Sequence, residues 1–402
     1  MRVAVIGGGA AGFFSALSVK QHHPEVDVVM FERSQKLLSK VKVSGGGRCN
    51  VTHDELNIKK LSTHYPRGEK FLRKAFSQFA VADTIQWFND RGVVLKTEAD
   101  HRMFPESNVS QTIIDTFLTE VSRNNIEIVK GATVTNIQDM ENEICLEFSN
   151  REKTVFDAVI VAVGGQKGYK FLDVFQNLGH PIEDPVPSLF TFNIAHSDIM
   201  ELMGLVADPV QVKIQGSKLS NVGPLLVTHW GMSGPAILKL SALGARELAL
   251  KNYEFKIQVN WLGGEKEDDV RAILNNYIAQ NGKKKVNKSP FEFPNRLWIY
   301  FLNTLKINSD TTWNSLDKKS KNKIVNKITN DVYEIYKKTT FKEEFVTCGG
   351  ISLSGVNPQT MQSRYVKGLY FAGEFLDIDG VTGGFNFQAA WTTGFIAGKL
   401  NS

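Results

Sequence analysis

The sequence predicts an α/β protein in which a Rossmann-type parallel sheet is interrupted by a long insert. Three observations lead to this prediction. The run RVAVI (2–6) passes directly into a glycine-rich turn and then into a helix-forming segment. Two later apolar runs, at 156–165 and 368–373, also end in glycines. After residue 192 the strand–helix alternation gives way to short strands and then to helical periodicity.

Length and composition limit the classes of protein to consider. The chain has 402 residues, 42% of them hydrophobic and 22% charged, as expected for a soluble globular protein of roughly two or three domains. We find no apolar run of the roughly 18 residues that a membrane span needs, and no signal peptide. The three cysteines are far apart and form no CxxC motif. We therefore expect a cytoplasmic protein without disulfides or a metal site.

The first element carries the most informative motif. RVAVI has the β-branched composition of a buried parallel strand, and GGGAAG follows it with Gly7, Gly9 and Gly12 in the spacing G-x-G-x-x-G. In a dinucleotide site these glycines provide a tight turn, a close approach to the pyrophosphate and helix–strand packing, respectively. The phosphates would lie at the N-terminus of the helix that follows.

The second strand, VDVVMF (26–31), ends at Glu32, twenty residues after Gly12. A carboxylate at this spacing binds a ribose with a free 2′-hydroxyl, which favours FAD or NAD over NADP. Arg33 has two interpretations: it stacks over the adenine, or it is a solvated side chain.

The last elements distinguish FAD from NAD. FDAVIVAVGG (156–165) returns the chain to the dinucleotide, and the strand GLYFA (368–372) leads through Gly373 and Glu374 to Gly383-Gly384 and an apolar helix. The N-terminus of that helix is suited to stabilising negative charge on the pyrimidine edge of a reduced flavin. A generic dehydrogenase does not need this closing element, so the sequence favours FAD.

The stretch VSGGGRCNVT (43–52) has three alternative interpretations, which differ in what lies next to its backbone. Three consecutive glycines allow a phosphate, a planar cofactor or only a tight turn next to the backbone.

Five motifs resemble a family of bacterial FAD-binding flavoproteins known as aminoacetone-oxidase-like or BaiN-like NAD(P)/FAD-dependent oxidoreductases. They are SGGGRCNVT (44–52), HRMFPES (101–107), VTHWGMSGPAIL (227–238), TCGGISL (347–353) and GEFLDIDGVTGGFNFQAAWTTG (373–394). The resemblance implies an FAD-binding Rossmann-type fold of the two-dinucleotide-binding kind, with an inserted small β-barrel and a helical subdomain. It also implies that the glycine triplet lies along the planar cofactor.

The resemblance and the motifs together give the residues expected to contact FAD. These are Gly7, Gly9, Ala10, Ala11, Gly12, Glu32, Arg33, Lys40, Gly45, Gly46, Arg48, Cys49, Asn50, Val134, Ala162, Gly164, Gly373, Glu374, Asp379, Gly384, Phe385, Asn386 and Phe387.

The expected domains follow the change of pattern along the chain. We predict an FAD-binding domain at 1–187 and 349–402, a barrel-like insert at 188–266 and 339–348, and a helical subdomain at 267–338. The helical assignment depends on VRAILNNYIA (270–279), RLWIYFLNTL (296–305) and KNKIVNKITNDVYEIYK (321–337).

The catalytic residue is not identified by the sequence. Cys49 is a weak candidate for thiol chemistry beside the flavin, but it has no second cysteine nearby, and a small packed residue is the simpler interpretation. His53, His101 and His229 are possible proton donors or acceptors, and the turn residues around His229 favour it slightly.

Charge is concentrated in one segment. The net charge is +5, while residues 281–342 hold thirteen lysines and Arg296 against five acids, giving 14 − 5 = +9. A solvated helical face is the favoured interpretation, and an RNA or acidic partner is the alternative.

Three functions follow from these patterns. The favoured one is an FAD-dependent oxidoreductase that moves a hydride between an organic substrate or NAD(P)H and the flavin, acting as a reductase or as an oxidase of small amines. We find no second G-x-G-x-x-G, so NAD(P)H is expected only as a transient reductant. The alternatives are an FAD-containing protein that binds or modifies nucleic acid, and a non-catalytic flavin sensor. The oligomeric state is not indicated.

Overall fold

A computed structural model of the chain describes residues 1–165, 168, 170–195, 197–339 and 346–401. These residues form two compact units. The first unit comprises residues 1–188 and the described residues from 346 onward, and the second comprises residues 189–339. The α/β fold class is confirmed, and the two units are described separately below.

The first unit starts with alternating strands and helices. Its strands up to Ser188 are β1 (Arg2–Ile6), β2 (Asp27–Glu32), β3 (Thr52–His53), β4 (Leu95–Thr97), β5 (Arg102–Pro105), β6 (Glu127–Lys130), β7 (Val134–Asp139), β8 (Ile144–Phe148), β9 (Thr154–Phe156), β10 (Ala158–Val161) and β11 (Ile182–Ser188). Its helices are α1 (Ala10–His22), α2 (Ser39–Gly47), α3 (Ile58–Ser62), α4 (Glu69–Ala75), α5 (Val81–Asn89), α6 (Ser110–Arg123) and α7 (Leu172–Asn177).

The second unit contains a closed barrel followed by helices. Its strands are β12 (Thr191–Ile194), β13 (Val206–Ile214), β14 (Ser220–Thr228), β15 (Gly231–Ser233), β16 (Phe255–Asn260) and β17 (Asp331–Thr339). Its helices are α8 (Pro235–Leu243), α9 (Ala245–Leu250), α10 (Glu267–Asn281), α11 (Asn295–Thr304) and α12 (Lys318–Thr329). The barrel closes in the antiparallel order β12-β15-β14-β13-β16-β17.

The chain then returns to the first unit. Its last elements are β18 (Val346–Ile351), β19 (Leu369–Phe371) and α13 (Phe385–Gly398). The main sheet is parallel throughout, in the order β19-β10-β1-β2-β6. The side chains of β10 are buried along its whole length, as expected for a strand inside a parallel sheet, and those of the edge strand β19 are buried as well. The strands predicted from the apolar runs at 2–6, 26–31, 156–165 and 368–372 are therefore present.

One part of the helical prediction is wrong. The segment predicted as a helix over 321–337 ends as α12 at Thr329, and the remainder is the barrel strand β17. Asp331, Tyr333 and Ile335 are buried while the residues between them are exposed, which is the period of a strand.

The barrel segment predicted at 339–348 is also wrong at its end. β18 pairs with β11 in the first unit, so the return from the barrel precedes Val346. Residues 340–345 lie outside the described part of the chain. The division of the insert into a barrel and a helical subdomain stays a prediction, because α10–α12 belong to the same compact unit as the barrel.

Over the described residues, no helix is long and apolar enough to cross a membrane.

Candidate cofactor site

The site forms where the parallel strands of the first unit end. Because β1, β2, β10 and β19 run in the same direction, the residues that follow them meet at one edge of the sheet. This edge gathers most of the residues that the sequence assigns to a cofactor.

The glycine motif has three distinct geometries. Gly7 has φ +115°, and a Cβ there would lie 2.3 Å from the carbonyl oxygen of Ala162. A Cβ on Gly12 would lie 1.9 Å from the carbonyl oxygen of Gly7. A Cβ on Gly9, in contrast, would meet nothing within 4 Å. Gly7 and Gly12 thus hold the turn against β10, while Gly9 borders open space.

Helix α1 begins at this open space. Its first intrahelical hydrogen bond runs from the Phe13 N–H to the Gly9 carbonyl, so the N–H groups of Ala10, Ala11 and Gly12 have no acceptor within the helix. No acidic side chain lies in the first turn. A helix N-terminus of this kind is suited to binding an anion.

Glu32 lies at the end of β2, beside the glycine turn. Its carboxylate accepts hydrogen bonds from the backbone N–H of Gly8 (2.7 Å) and of Ser34 (2.8 Å). Arg33, the next residue, is exposed. The backbone N–H of Ala132 donates to the carbonyl of Glu32, and Val134, two residues further along the chain, is buried at the start of β7. The carboxylate is therefore held next to the turn, where it can accept from a ribose hydroxyl.

The glycine triplet lies at the end of α2. Its three φ values are +58°, +69° and +85°, all in the left-handed region that favours glycine. A Cβ on Gly45 would lie 2.8 Å from the Phe104 ring, whereas a Cβ on Gly46 or Gly47 would meet nothing within 4 Å.

Arg48 and Cys49, which follow the triplet, are engaged within the protein. The Arg48 guanidinium lies over the Phe104 ring at 3.9 Å and pairs with Glu98 (2.5 Å). Burial raises the pKa of the Cys49 thiol to about 12, despite its hydrogen bond with Ser44. The thiol therefore stays protonated at neutral pH, which argues against Cys49 as a thiolate catalyst.

Lys40 and Glu374 meet, although 334 residues separate them. Lys40 Nζ lies 2.5 Å from Glu374 Oε2, and Glu374 Oε1 accepts from the Thr347 N–H (2.7 Å). Gly373, just before Glu374, has φ +71°, and a Cβ there would lie 2.7 Å from that of Ala11. The end of β19 therefore packs directly against the start of α1.

Asp379 has a structural role through its side chain. The carboxylate is fully buried, forms a bidentate pair with Arg67 (Nε–Oδ1 2.5 Å) and accepts from the Ser188 hydroxyl (2.6 Å). Burial raises the pKa of Asp379, and the Arg67 guanidinium opposes that rise. Both oxygens are engaged within the protein, and the cofactor contact of Asp379 stays a prediction.

Helix α13 supplies the last edge of the site. Gly384 (φ +96°) precedes it, and the N–H groups of Phe385, Asn386 and Phe387 form its first turn. With its amide oriented to satisfy both neighbours, Asn50 accepts from the Gly384 N–H (2.9 Å) and donates to the Thr52 carbonyl (3.0 Å). The Asn386 side chain makes two hydrogen bonds with the backbone of Gly380. The turn before α13 is thus fixed on both sides.

The histidine candidates separate between the two units. His229 is exposed in the turn between β14 and β15, in the barrel unit. His53 and His101 lie in the first unit with ring centroids 6.1 Å apart, and His64, which the sequence analysis missed, lies 5.9 Å from His53. Arg67 was missed as well. Neither residue stands in a local motif that marks its role.

Among the described residues, no group of three or more His, Cys, Asp or Glu side chains could hold a metal ion.

Comparison with known proteins identifies the family. The model of the HI0933-like protein Rossmann domain matches residues 1–400. The chain belongs to the HI0933-like family. Members of this family bind FAD, and the protein is an FAD-dependent oxidoreductase rather than a non-catalytic flavin sensor.

Two relatives match over nearly their full length. The chain is 24% identical to the 3-dehydro-bile acid delta(4,6)-reductase of Clostridium scindens, covering 99% of this chain and 98% of the relative. It is 26% identical to the ribosomal RNA dihydrouridine synthase of Haemophilus influenzae, covering 97% and 96%. Among solved structures, the 3-ketosteroid-delta4-(5alpha)-dehydrogenase of Rhodococcus jostii RHA1 shares the fold, with a TM-score of 0.51, 10% identity and coverage of 98% and 96%.

The residues present fit FAD. The open spaces at Gly9, Gly46, Gly47 and Gly164 are positions where a Cβ would meet no protein atom, and they accompany a helix N-terminus suited to phosphate. Glu32 supplies the acceptor for a ribose, and a second helix N-terminus at α13 completes the set.

Proposed function

We propose that the protein is an FAD-dependent reductase that saturates a carbon–carbon double bond next to a carbonyl group. The observation that carries this proposal is that the chain matches, over nearly its full length, two relatives that act on different substrates. By their names, one reduces a diene of a 3-oxo steroid and the other converts uridine to dihydrouridine. A double bond conjugated with a carbonyl is common to both substrates. It is also the bond type that readily accepts a hydride.

The chain would hold FAD with the segments at the edge of the sheet. The N-terminus of α1 binds the diphosphate, Glu32 binds the ribose of the adenosine, and the backbone at glycines 45–47 and at Gly164 borders the cofactor. When bound, FAD supplies the acceptor and donor of the hydride.

The first turn of α13 has a second role in this proposal. Its N–H groups, with the partial positive charge of the helix N-terminus, stabilise negative charge that develops on the pyrimidine edge of the flavin. The Asn50 side-chain oxygen accepts from the Gly384 N–H and so holds Gly384 in place. The donors of this turn are therefore fixed before the reaction starts.

We also propose NAD(P)H as a transiently bound reductant. The sequence contains no second G-x-G-x-x-G, so a visiting nicotinamide fits the chain better than a permanently bound one.

The test follows the flavin absorbance of the purified holoenzyme without oxygen. We expect NADH or NADPH to bleach the flavin, and a conjugated enone such as 2-cyclohexenone or a 3-oxo-4-ene steroid to restore its colour. The saturated ketone of each pair is the matched control and should leave the flavin bleached. Bleaching by amines without reoxidation by any enone would contradict the proposal and favour an amine oxidase.

A second candidate function is the reduction of a uracil base within RNA. The exposed side chains of Lys318, Lys319 and Lys323 lie on one face of α12, together with Asn322 and Asn326. Such a surface suits a polyanion. This candidate predicts RNA binding in which the logarithm of the association constant falls linearly with the logarithm of salt concentration, with a smaller slope in a Lys318→Gln/Lys319→Gln/Lys323→Gln variant. Absence of binding at low salt would eliminate it.

A further inference from the structure

Three histidines converge near the first turn of α13. His53 ends β3, His64 lies between α3 and α4, and His101 lies in the turn between β4 and β5. Their ring centroids lie 5.9 Å (His53–His64) and 6.1 Å (His53–His101) apart. His101 is exposed, whereas the other two are half-buried. The cluster therefore extends from the surface toward the start of α13.

Phe385, the first residue of α13, positions two of these rings. The His64 ring stacks on Phe385 at 4.2 Å with an interplanar angle of 14°, and the His53 ring lies 4.5 Å from it at 32°. The Tyr65 hydroxyl donates to the Phe385 carbonyl (2.7 Å), which fixes this residue in turn. The imidazoles are thus attached to the helix turn that is proposed to face the flavin.

A backbone hydrogen bond orients His53. Its Nδ1 lies 3.1 Å from the carbonyl oxygen of Gly383, two residues before Phe385. A carbonyl oxygen can only accept, so Nδ1 carries the hydrogen of this bond. Nε2 is then the ring atom that gains and loses a proton.

Charged groups of both signs lie near His53. Its strand neighbour across the β3–β5 pair is Arg102, whose guanidinium is paired with Asp100 (2.6 Å) and approaches Glu98 (3.5 Å). The first turn of α13 contributes no charged side chain. The titratable and charged groups around His53 include His64, His101, Arg102 and, next in the chain, Asp54.

We propose that His53 is the proton donor of the reduction. This role rests on the proposed function. Bound FAD would supply the hydride chemistry, with NAD(P)H as the reductant. Addition of the hydride to the β carbon would break the π bond and leave its electron pair at the α carbon. The Nε2–H of the His53 imidazolium gives its proton to that carbon, and two new C–H bonds replace the π bond. The neutral imidazole then takes a proton from solvent on the side of exposed His101.

The test compares holoenzymes of wild type, His53→Gln and the control His22→Gln, which is exposed at the far end of α1. In His53→Gln we expect the oxidation of the reduced flavin by an enone to slow by about 10²–10⁴-fold. Reduction by NAD(P)H and reoxidation by ferricyanide, which involves no proton transfer to an acceptor carbon, should stay unchanged, as should flavin occupancy.

A second readout does not depend on turnover. In NMR spectra of the histidine Cε1–H groups, the resonance missing from His53→Gln identifies His53. We expect the saturated ketone to shift that resonance in the wild-type holoenzyme. Equal rates of flavin oxidation by the enone in wild type and His53→Gln would overturn the role of His53 alone. A His53 resonance that the saturated ketone does not shift would do the same. Failure of wild type to react with any enone would overturn the proposed function and this role together.

Discussion

The turn that ends α2 requires glycine at three consecutive positions. Residues 45–47 all have positive φ, a conformation that costs a residue with a Cβ about 1–2 kcal/mol. A Cβ at Gly45 would also clash with the Phe104 ring, whereas Gly46 and Gly47 border open space. The backbone conformation explains all three glycines, and the open space at two of them leaves room for a cofactor.

Gly46→Ala and Gly92→Ala separate these two contributions. Both glycines have positive φ (+69° and +75°), and a Cβ on either would meet nothing within 4 Å. We expect a similar loss of about 1 kcal/mol in the free energy of unfolding of the apoprotein, measured in urea. FAD titration should show at least tenfold weaker binding for Gly46→Ala only, because its methyl group enters the cofactor's space. Equal FAD affinity in the two variants would exclude close contact at Gly46.

His180 makes stability depend on pH. Burial lowers the pKa of His180 to about 4, and its Nε2 lies 2.9 Å from Ser363 Oγ, which already accepts from the N–H groups of Tyr365 and Val366. The Ser363 hydroxyl therefore donates to Nε2, and protonation of Nε2 would break that bond.

The sign of the pH effect follows from the unfolded-state pKa of about 6.5. As the pH falls from about 6.5 to about 4, the unfolded chain takes up a proton that the folded protein does not, so stability is lost across this range. In His180→Gln this contribution is absent, so its deficit in unfolding free energy relative to wild type should shrink from pH 7 to pH 4. Urea titrations at several pH values measure the difference, and a constant deficit would show that His180 titrates alike in both states.

Helix α13 links two parts of the site at the level of secondary structure. Its first turn borders the proposed flavin end, and its remaining length packs on α1, whose N-terminus is the proposed phosphate site. The two helices approach closely at Gly394 and Gly398. A Cβ on Gly394 would lie 2.8 Å from the Ala11 carbonyl oxygen, and one on Gly398 would lie 2.4 Å from the Ser18 Cβ.

Gly398→Ala should therefore separate the two helices at their far ends. We expect a loss of about 1–3 kcal/mol in the free energy of unfolding from overpacking, with weaker FAD binding because both binding turns depend on this contact. Gly398→Val should have the same effects to a greater degree. Urea unfolding and FAD titration measure them. Unchanged stability in the valine variant would contradict the close packing.

Local patterns predicted the elements with a strong period and failed where two periods met. The apolar runs gave β1, β2, β10 and β19, and the glycine spacing gave the turn before α1. The segment 321–337 was misassigned because the 3.6-residue period of α12 passes into the two-residue period of β17 within a single polar junction, at Asn330.

At the scale of the whole molecule, the least predictable features are pairs from distant parts of the chain. Arg67 and Asp379 are 312 residues apart, and the histidines of the cluster near α13 come from three separate connections. Nothing in the local sequence around Arg67 or His64 signals these contacts, because the fold alone brings them together. A dinucleotide cofactor was predictable, since G-x-G-x-x-G and Glu32 lie within one strand–helix–strand unit.

The two units also differ in charge. Residues 189–339 of the barrel unit hold 21 Lys and Arg against 14 Asp and Glu, giving 21 − 14 = +7, and the rest of the chain sums to 5 − 7 = −2. The residues of the proposed cofactor site and the basic segment therefore lie in different units, so substitutions in the basic segment can test for RNA binding without changing a residue of the proposed site.

The most direct test of the central claim is FAD binding by Gly9→Ala. Gly9 has φ −99°, which alanine adopts without strain, and a Cβ there would meet no protein atom within 4 Å. We expect the Gly9→Ala apoprotein to be as stable in urea as wild type and to bind FAD at least tenfold more weakly, because the methyl group lies where the diphosphate must approach. Wild-type FAD affinity in Gly9→Ala would contradict the assignment of the α1 N-terminus as the cofactor site.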